Sequence, residues 1–170
     1  MNRRPDLEKL IRFNVDVLHQ GLQVLAAQAA VPGSDYSSHI GPHLRHVIEH
    51  YEALTQQLPT LSVDYDSRAR DRTSERNPLV ARARIEALQQ QLQALDVEAV
   101  SEPIAIHLRG GLAGEENFVS FSTLARELLF VASHAVHHYA LIQMYCKAQG
   151  IFLGADFGKA PATVRHAFAA

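Results

Sequence analysis

One cysteine in 170 residues leaves no internal disulfide, which suits a reducing compartment. Cys146 sits among Ile142, Met144 and Tyr145, a setting that reads as a small buried hydrophobe rather than a nucleophile. Charge of one sign is also lacking. Sixteen Lys and Arg against eighteen Asp and Glu give a net charge of -2 with the signs interspersed, which argues against an extended phosphate-binding surface, so nucleic acid is not an expected partner. No apolar run reaches the roughly 20 residues that span a bilayer. The start, MNRRPDLEKLIRF, has no signal-peptide apolar region or cleavage site, so no membrane association and a cytoplasmic location are expected. Internal repeats and low-complexity segments are absent. The glycines of RGGLAG are not followed by a Gly-Lys-Ser/Thr element, and the DFG at 156–158 comes without a glycine-rich phosphate loop or catalytic loop, so neither marks a nucleotide site. With 47% hydrophobic and 20% charged residues, the chain is long enough to bury a core without staples, and one domain over 1–170 is expected.

What is abundant is histidine, ten in all. Random placement at that frequency predicts roughly half a pair at H-x-x-x-H spacing. The chain has three such pairs: His39 with His43, His46 with His50, and His134 with His138. On a helix, residues four apart lie one turn above each other, so His134 and His138 can offer two imidazoles to one ion. His43, His46 and His50 fall within an arc of roughly 60° on a second helical segment, at about 100° per residue, and any of them can supply a third ligand. Three protein nitrogens with open coordination positions form the arrangement of a reactive rather than a structural metal site. The competing reading is of solvated or hydrogen-bonded helix histidines that bind nothing.

Apolar spacing places these segments on helices. A first helix is expected from an Asp6 cap through Leu7, Ile11, Val15, Leu18, Leu22 and Leu25, ended by Pro32-Gly33. The second begins near Ser37 or Ser38, tolerates Pro42 in its first turn, and carries Ile40, Leu44, Val47, Tyr51, Leu54 and Leu58 in alternating steps of four and three. From Pro59 to Asn77 the pattern is lost in a polar, arginine-rich stretch that reads as an ordered loop. A third helix opens at Pro78. Two alternating runs around a Gly-rich turn, PIAIHLRGGLAGEENFVSF, read as a β-hairpin. The last long helix starts near Ser122 or Thr123, has His138 on its core stripe, and closes at Gly150. A tail from Ile151 to Ala170 is expected to be irregular chain plus a short helix. The fold class is therefore all-α, a four-helix bundle with a small β-hairpin before the last long helix.

IGPHLRHVIEH, VDYDSRARD, ELLFVASHAVHHYALI and DFGKAPAT together resemble the DinB-like (DinB/YfiT-like) superfamily of small four-helix bundles, over nearly the whole chain. The resemblance implies a divalent metal, zinc, nickel or iron, held by three histidines. His134 and His138 match the family's H-x-x-x-H directly. In the second helix, the family's hydrophobic residue after the ligand and acidic residue three after it match His46 with Val47 and Glu49. The apolar stripe, centred near Val47 and Leu54, instead brings His43 and His50 nearer the interior. His46 leads, with His43 and then His50 as alternates. His137 is expected to be exposed, and His19, His39, His107 and His166 to lie on surfaces.

Around that site, Tyr65, Asp66, Arg68 and Arg70 can line a pocket mouth where guanidinium groups bind an anion, against the alternative of a solvated charged loop. Glu127, seven residues before His134, can orient a ligand or sit in a surface salt bridge. The resemblance implies a metal-dependent hydrolase or a thiol-dependent transferase acting on a small molecule, with Glu49 and Asp66 as modest acid or base candidates. A non-catalytic metal-binding or stress-response module is the alternative. Relatives of this kind pair through bundle faces, so a homodimer is expected. Metal binding should weaken as pH falls through the ordinary imidazole value of about 6.5.

Overall fold

The structure, a computed structural model, describes residues 6–96 and 102–169; residues 1–5, part of the start read for a signal peptide, lie outside it. Helix α1 spans Leu7–Ala29, and the Asp6 carboxylate accepts from Lys9 N at 3.1 Å, satisfying one free N–H of the first turn. Helix α2 spans Ile40–Gln57. It begins at an His39 cap, after the serines, because Asp35 Oδ1 accepts from the backbone N–H groups of both Ser37 and Ser38 and holds them in a turn instead.

The segment after α2 departs from the sequence expectation. Its 3-10 turn, Leu58–Thr60, leads into a strand β1, Ser62–Asp64, and a four-residue helix α3 follows at Thr73–Arg76. Helix α4, Pro78–Gln93, starts where expected, with Asn77 Oδ1 accepting from Leu79 N at 3.0 Å. Strands β2, Ile104–Gly110, and β3, Glu116–Ser122, form the expected antiparallel hairpin, with Gly111 and Gly114 at positive φ in its turn. Helix α5, Leu124–Ala148, is capped by Thr123, and α6 spans Pro161–Ala169. No helix among the described residues is long and apolar enough to cross a membrane.

The expectation of an all-α four-helix bundle is overturned. The described residues hold six α-helices and a three-stranded mixed sheet of order β1-β2-β3. The cause is β1: it pairs in parallel with β2, Ser62 against Ala105 and Asp64 against His107. The hairpin is thereby the outer part of a sheet tied to the end of α2.

The four long helices touch in a ring, α1 on α4, α4 on α2, α2 on α5 and α5 on α1. Leu18, Ile40, Leu44, Ile48, Leu54, Ile85, Leu88, Leu92 and Leu128 are all fully buried between them, each burial stabilising by roughly 1.5–3 kcal/mol. One polar pair crosses this core. Tyr51 Oη donates to Asn14 Oδ1 at 2.8 Å, while Asn14 Nδ2 donates back to Leu10 O at 2.8 Å, so each side-chain group of Asn14 is satisfied without water.

Candidate metal centre

Helix α2 lies against α5, and that contact sets one imidazole facing two. His46 from α2 and His134 with His138 from α5 each offer a ligand nitrogen, all within 4.8 Å of one another. Their ring centroids are 4.5 Å (His46–His138), 4.7 Å (His134–His138) and 5.0 Å (His46–His134) apart. Three nitrogens bound tetrahedrally at about 2.0–2.1 Å would stand about 3.3 Å apart.

Two observations fit these residues to a metal. Nε2 of His134 is buried without a hydrogen-bond partner, an arrangement that costs free energy unless something else takes up the lone pair. The three rings are also held neutral. Burial, then the neighbouring imidazoles and Arg68, pushes His46 down to about 2; burial and the other histidines push His138 down to about 3; burial, His50, His137 and Arg68 push His134 down to about 4. Neutral imidazole is the coordinating form. The group could therefore hold a divalent ion, and an all-nitrogen set suits zinc, nickel, iron or copper alike.

The two alternate second-helix histidines flank this trio. His43 Nδ1 lies 2.8 Å from His138 Nδ1, so His43 touches a ring nitrogen of a trio member. His50 is buried, its Nδ1 donating to the His46 carbonyl at 2.8 Å, and its ring sits 4.3 Å from those of both His46 and His134. His137 is exposed, as are His19, His39 and His166. His107 is not a free surface group: it is half-buried in the sheet with Nε2 3.0 Å from Ser62 Oγ.

The polar loop after β1 splits in its roles. Tyr65 is buried, its ring stacked on His50 at 5.7 Å and its hydroxyl donating to Glu127 Oε2 at 2.7 Å. Glu127 is 2% exposed, so the surface salt bridge is wrong for it; Ser122 Oγ donates to its other oxygen, and Arg126 reaches it at 3.5 Å. Its link to the histidines runs through Tyr65. Arg68 turns inward, donating to Tyr65 O at 2.8 Å with Nε 3.5 Å from Glu49 Oε2. Glu49 is 2% exposed, and its burial raises its pKa against the opposing pull of Arg45, Arg68 and Arg84. Asp66 Oδ2 is occupied by the backbone N–H of Arg109 at 2.8 Å, and Arg70 is exposed.

Sequence reasoning missed Phe130, whose ring stacks on His134 at 5.8 Å and meets Tyr65 edge-on at 5.2 Å. The signal was available, because Phe130 precedes His134 by four residues on the same helix face. It also missed the ion pairs behind the site, Arg45 with Glu75 at 3.3 Å and Arg84 with Glu52, which join α2 to α3 and α4.

No family model and no solved structure matches the chain. It is similar to FK506-binding protein 5 of Rhizopus delemar (strain RA 99-880), 28% identical over 104 residues, or 61% of this chain. The match spans 27% of that protein, so the chain corresponds to about a quarter of that relative's length.

Proposed function

We propose that the chain is a DinB-like divalent-metal protein whose His46, His134 and His138 hold one transition-metal ion with open positions, used in hydrolysis of, or thiol transfer to, a small molecule. The observation that carries the reading is the convergence of three neutral imidazoles within 4.8 Å, one with a buried and unpartnered Nε2. A bound ion of this kind lowers the pKa of a water or thiol on it and polarises a carbonyl. The chain's own residues do the rest. His43 and His50 fix the rings from outside, Tyr65 and Phe130 wall the histidines from the sheet, and Arg68 with Glu49 adds charge behind the loop. FK506 binding, the property in the relative's name, belongs to a protein of which the likeness covers about a quarter, and it enters no step of this reading.

The test is elemental analysis of protein purified without an affinity tag, followed by cobalt titration and addition of a small thiol. About one metal per chain, and a visible cobalt spectrum that shifts with thiol, support the reading. A cobalt spectrum unmoved by any thiol and by any hydrolysable ester favours a non-catalytic metal-binding module. Absence of metal, with no cobalt spectrum, overturns it.

A further inference from the structure

On the sheet side of the histidines, small residues face large ones. Ser122 pairs with Ile104 and Ser120 with Ile106 across the two strands of the hairpin. In an antiparallel pair these partners lie on the same face, so serines on β3 beside isoleucines on β2 leave space under the first turns of α5. That space is a cavity of about 400 Å³, walled by Ile106, Leu108 and Ser120 of the sheet, Arg126 and Phe130 of α5, and Tyr65. Its size falls in the range of small-molecule sites, roughly 300–1,000 Å³.

The polar groups of this cavity are unequal. The hydroxyls of Tyr65 and Ser122 are both spent on Glu127, one on each carboxylate oxygen. Arg126 lies with its guanidinium 5.2 Å from the Phe130 ring centroid, touches Glu127 only at 3.5 Å, and leaves its side chain 63% exposed. Its remaining N–H donors are therefore open to an anion at the mouth. The inner wall is shared with the histidine centre. Phe130 lines the cavity and stacks on His134, and Tyr65 lines it and stacks on His50, so these two rings stand between a molecule seated there and the histidines.

We propose that this cavity binds an aryl-sized carboxylate, its apolar body lying against Ile106 and Phe130 and its acid group pairing with Arg126. The proposal does not rest on the metal reading above: the cavity and its charge stand apart from the histidine trio. Filling the cavity, removing its cation and perturbing its inner wall are three separable changes.

The experiment is calorimetric titration of the full chain, zinc-loaded and chelator-treated, with 2-naphthoate and with its neutral analogue 2-naphthamide. Saturable binding of one naphthoate per chain is expected. Arg126→Gln should weaken naphthoate about tenfold or more, as loss of a charge-assisted contact does, while leaving naphthamide unchanged; Ser120→Phe should abolish both. Arg126→Gln changes a largely exposed side chain, so it keeps the test valid even where Ser120→Phe fails to fold. No saturable binding at millimolar probe overturns the proposal, as does equal binding of naphthoate by the Arg126→Gln variant. Chain that binds zinc but no naphthoate sinks the cavity proposal alone; chain that binds naphthoate but no metal supports the cavity's ligand class and sinks the metal reading alone.

Discussion

His43 Nδ1 and His138 Nδ1 lie 2.8 Å apart, joining α2 to α5 through two imidazoles. Between two neutral rings that contact needs one proton: one Nδ1 donates and the other accepts. If His43 donates, His138 carries its own proton on Nε2 and offers no lone pair there. A metal on His138 Nε2 therefore selects the tautomer in which His138 Nδ1 donates to His43, and His43 becomes a positioning residue.

His43→Ala should accordingly weaken zinc binding by roughly 10- to 100-fold, the scale of lost ligand orientation. His46→Ala, His134→Ala and His138→Ala should each cost far more, and His137→Ala almost nothing. Isothermal titration with zinc separates these classes. A His43→Ala loss as large as that of His134→Ala would make His43 a ligand and displace His46 from that role.

Acid should destabilise the metal-free protein. The pKa values of His43, His46, His50, His134 and His138 all lie below the ordinary imidazole value, with burial as the largest cause in each. Below about pH 6.5 the unfolded chain binds protons that the folded one refuses, so stability falls as pH falls. The loss runs from there down to the folded values of about 4, 3 and 2 for His134, His138 and His46. Each group contributes at most about 1.4 kcal/mol per pH unit, less where solvent screens a half-buried ring. Urea midpoints of chelator-treated protein should be level from pH 8 to 6.5 and decline steadily toward pH 5; a level profile throughout is the contrary result. The same shifts move proton competition for the metal below the value of about 6.5 that composition implies, so zinc affinity of the folded protein should hold down to roughly pH 5.

Tyr65→Phe should destabilise by roughly 1.5–3 kcal/mol, because it removes a donor from a buried carboxylate. The hydroxyl of Tyr65 is one of two that neutralise the demand of Glu127, with Ser122 on the other oxygen. Glu127→Gln should cost less than Tyr65→Phe, since the amide loses the charge while keeping an acceptor for one hydroxyl. Urea denaturation of the two variants gives the order, and the reverse order would mean that Glu127 is held chiefly by Arg126.

Local rules located much of this arrangement. The H-x-x-x-H spacing put His134 and His138 together, and the Asp6 cap, the opening at Pro78 and the start near Ser122 or Thr123 mark real helix starts. What local rules could not reach is long-range. Strand β1 is three residues in a polar stretch and exists because β2, some forty residues later, pairs with it. The burial of Glu49 on α2 has the same origin: Arg68 folds back over a helix face that the apolar stripe alone leaves polar. The stripe centred near Val47 and Leu54 does bring His50 into the interior, while half-buried His46 faces α5 from its margin.

Gly41 is the tightest point between α2 and α3, and it yields the last prediction. A Cβ there would stand 2.0 Å from the Glu75 carbonyl oxygen and 2.8 Å from its carbon. Both are backbone atoms, so no rotamer change relieves the clash and the helices must part. The same glycine's N–H donates to Tyr36 O at 2.7 Å, and Tyr36 Oη donates to Ser74 O at 2.6 Å, so the strain spreads to every tie between the α2 start and α3. Gly41→Ala should therefore cost at least the upper end of the roughly 1–3 kcal/mol seen for overpacking, lowering Tm by roughly 6–12 °C for a chain of this size. Gly33→Ala is the control: Gly33 has φ +77 and nothing within 4 Å of its would-be Cβ, so it should cost only the roughly 1–2 kcal/mol of left-handed backbone. Equal melting points for the two variants would mean that α3 yields freely and that Gly41 is not the contact fixing it.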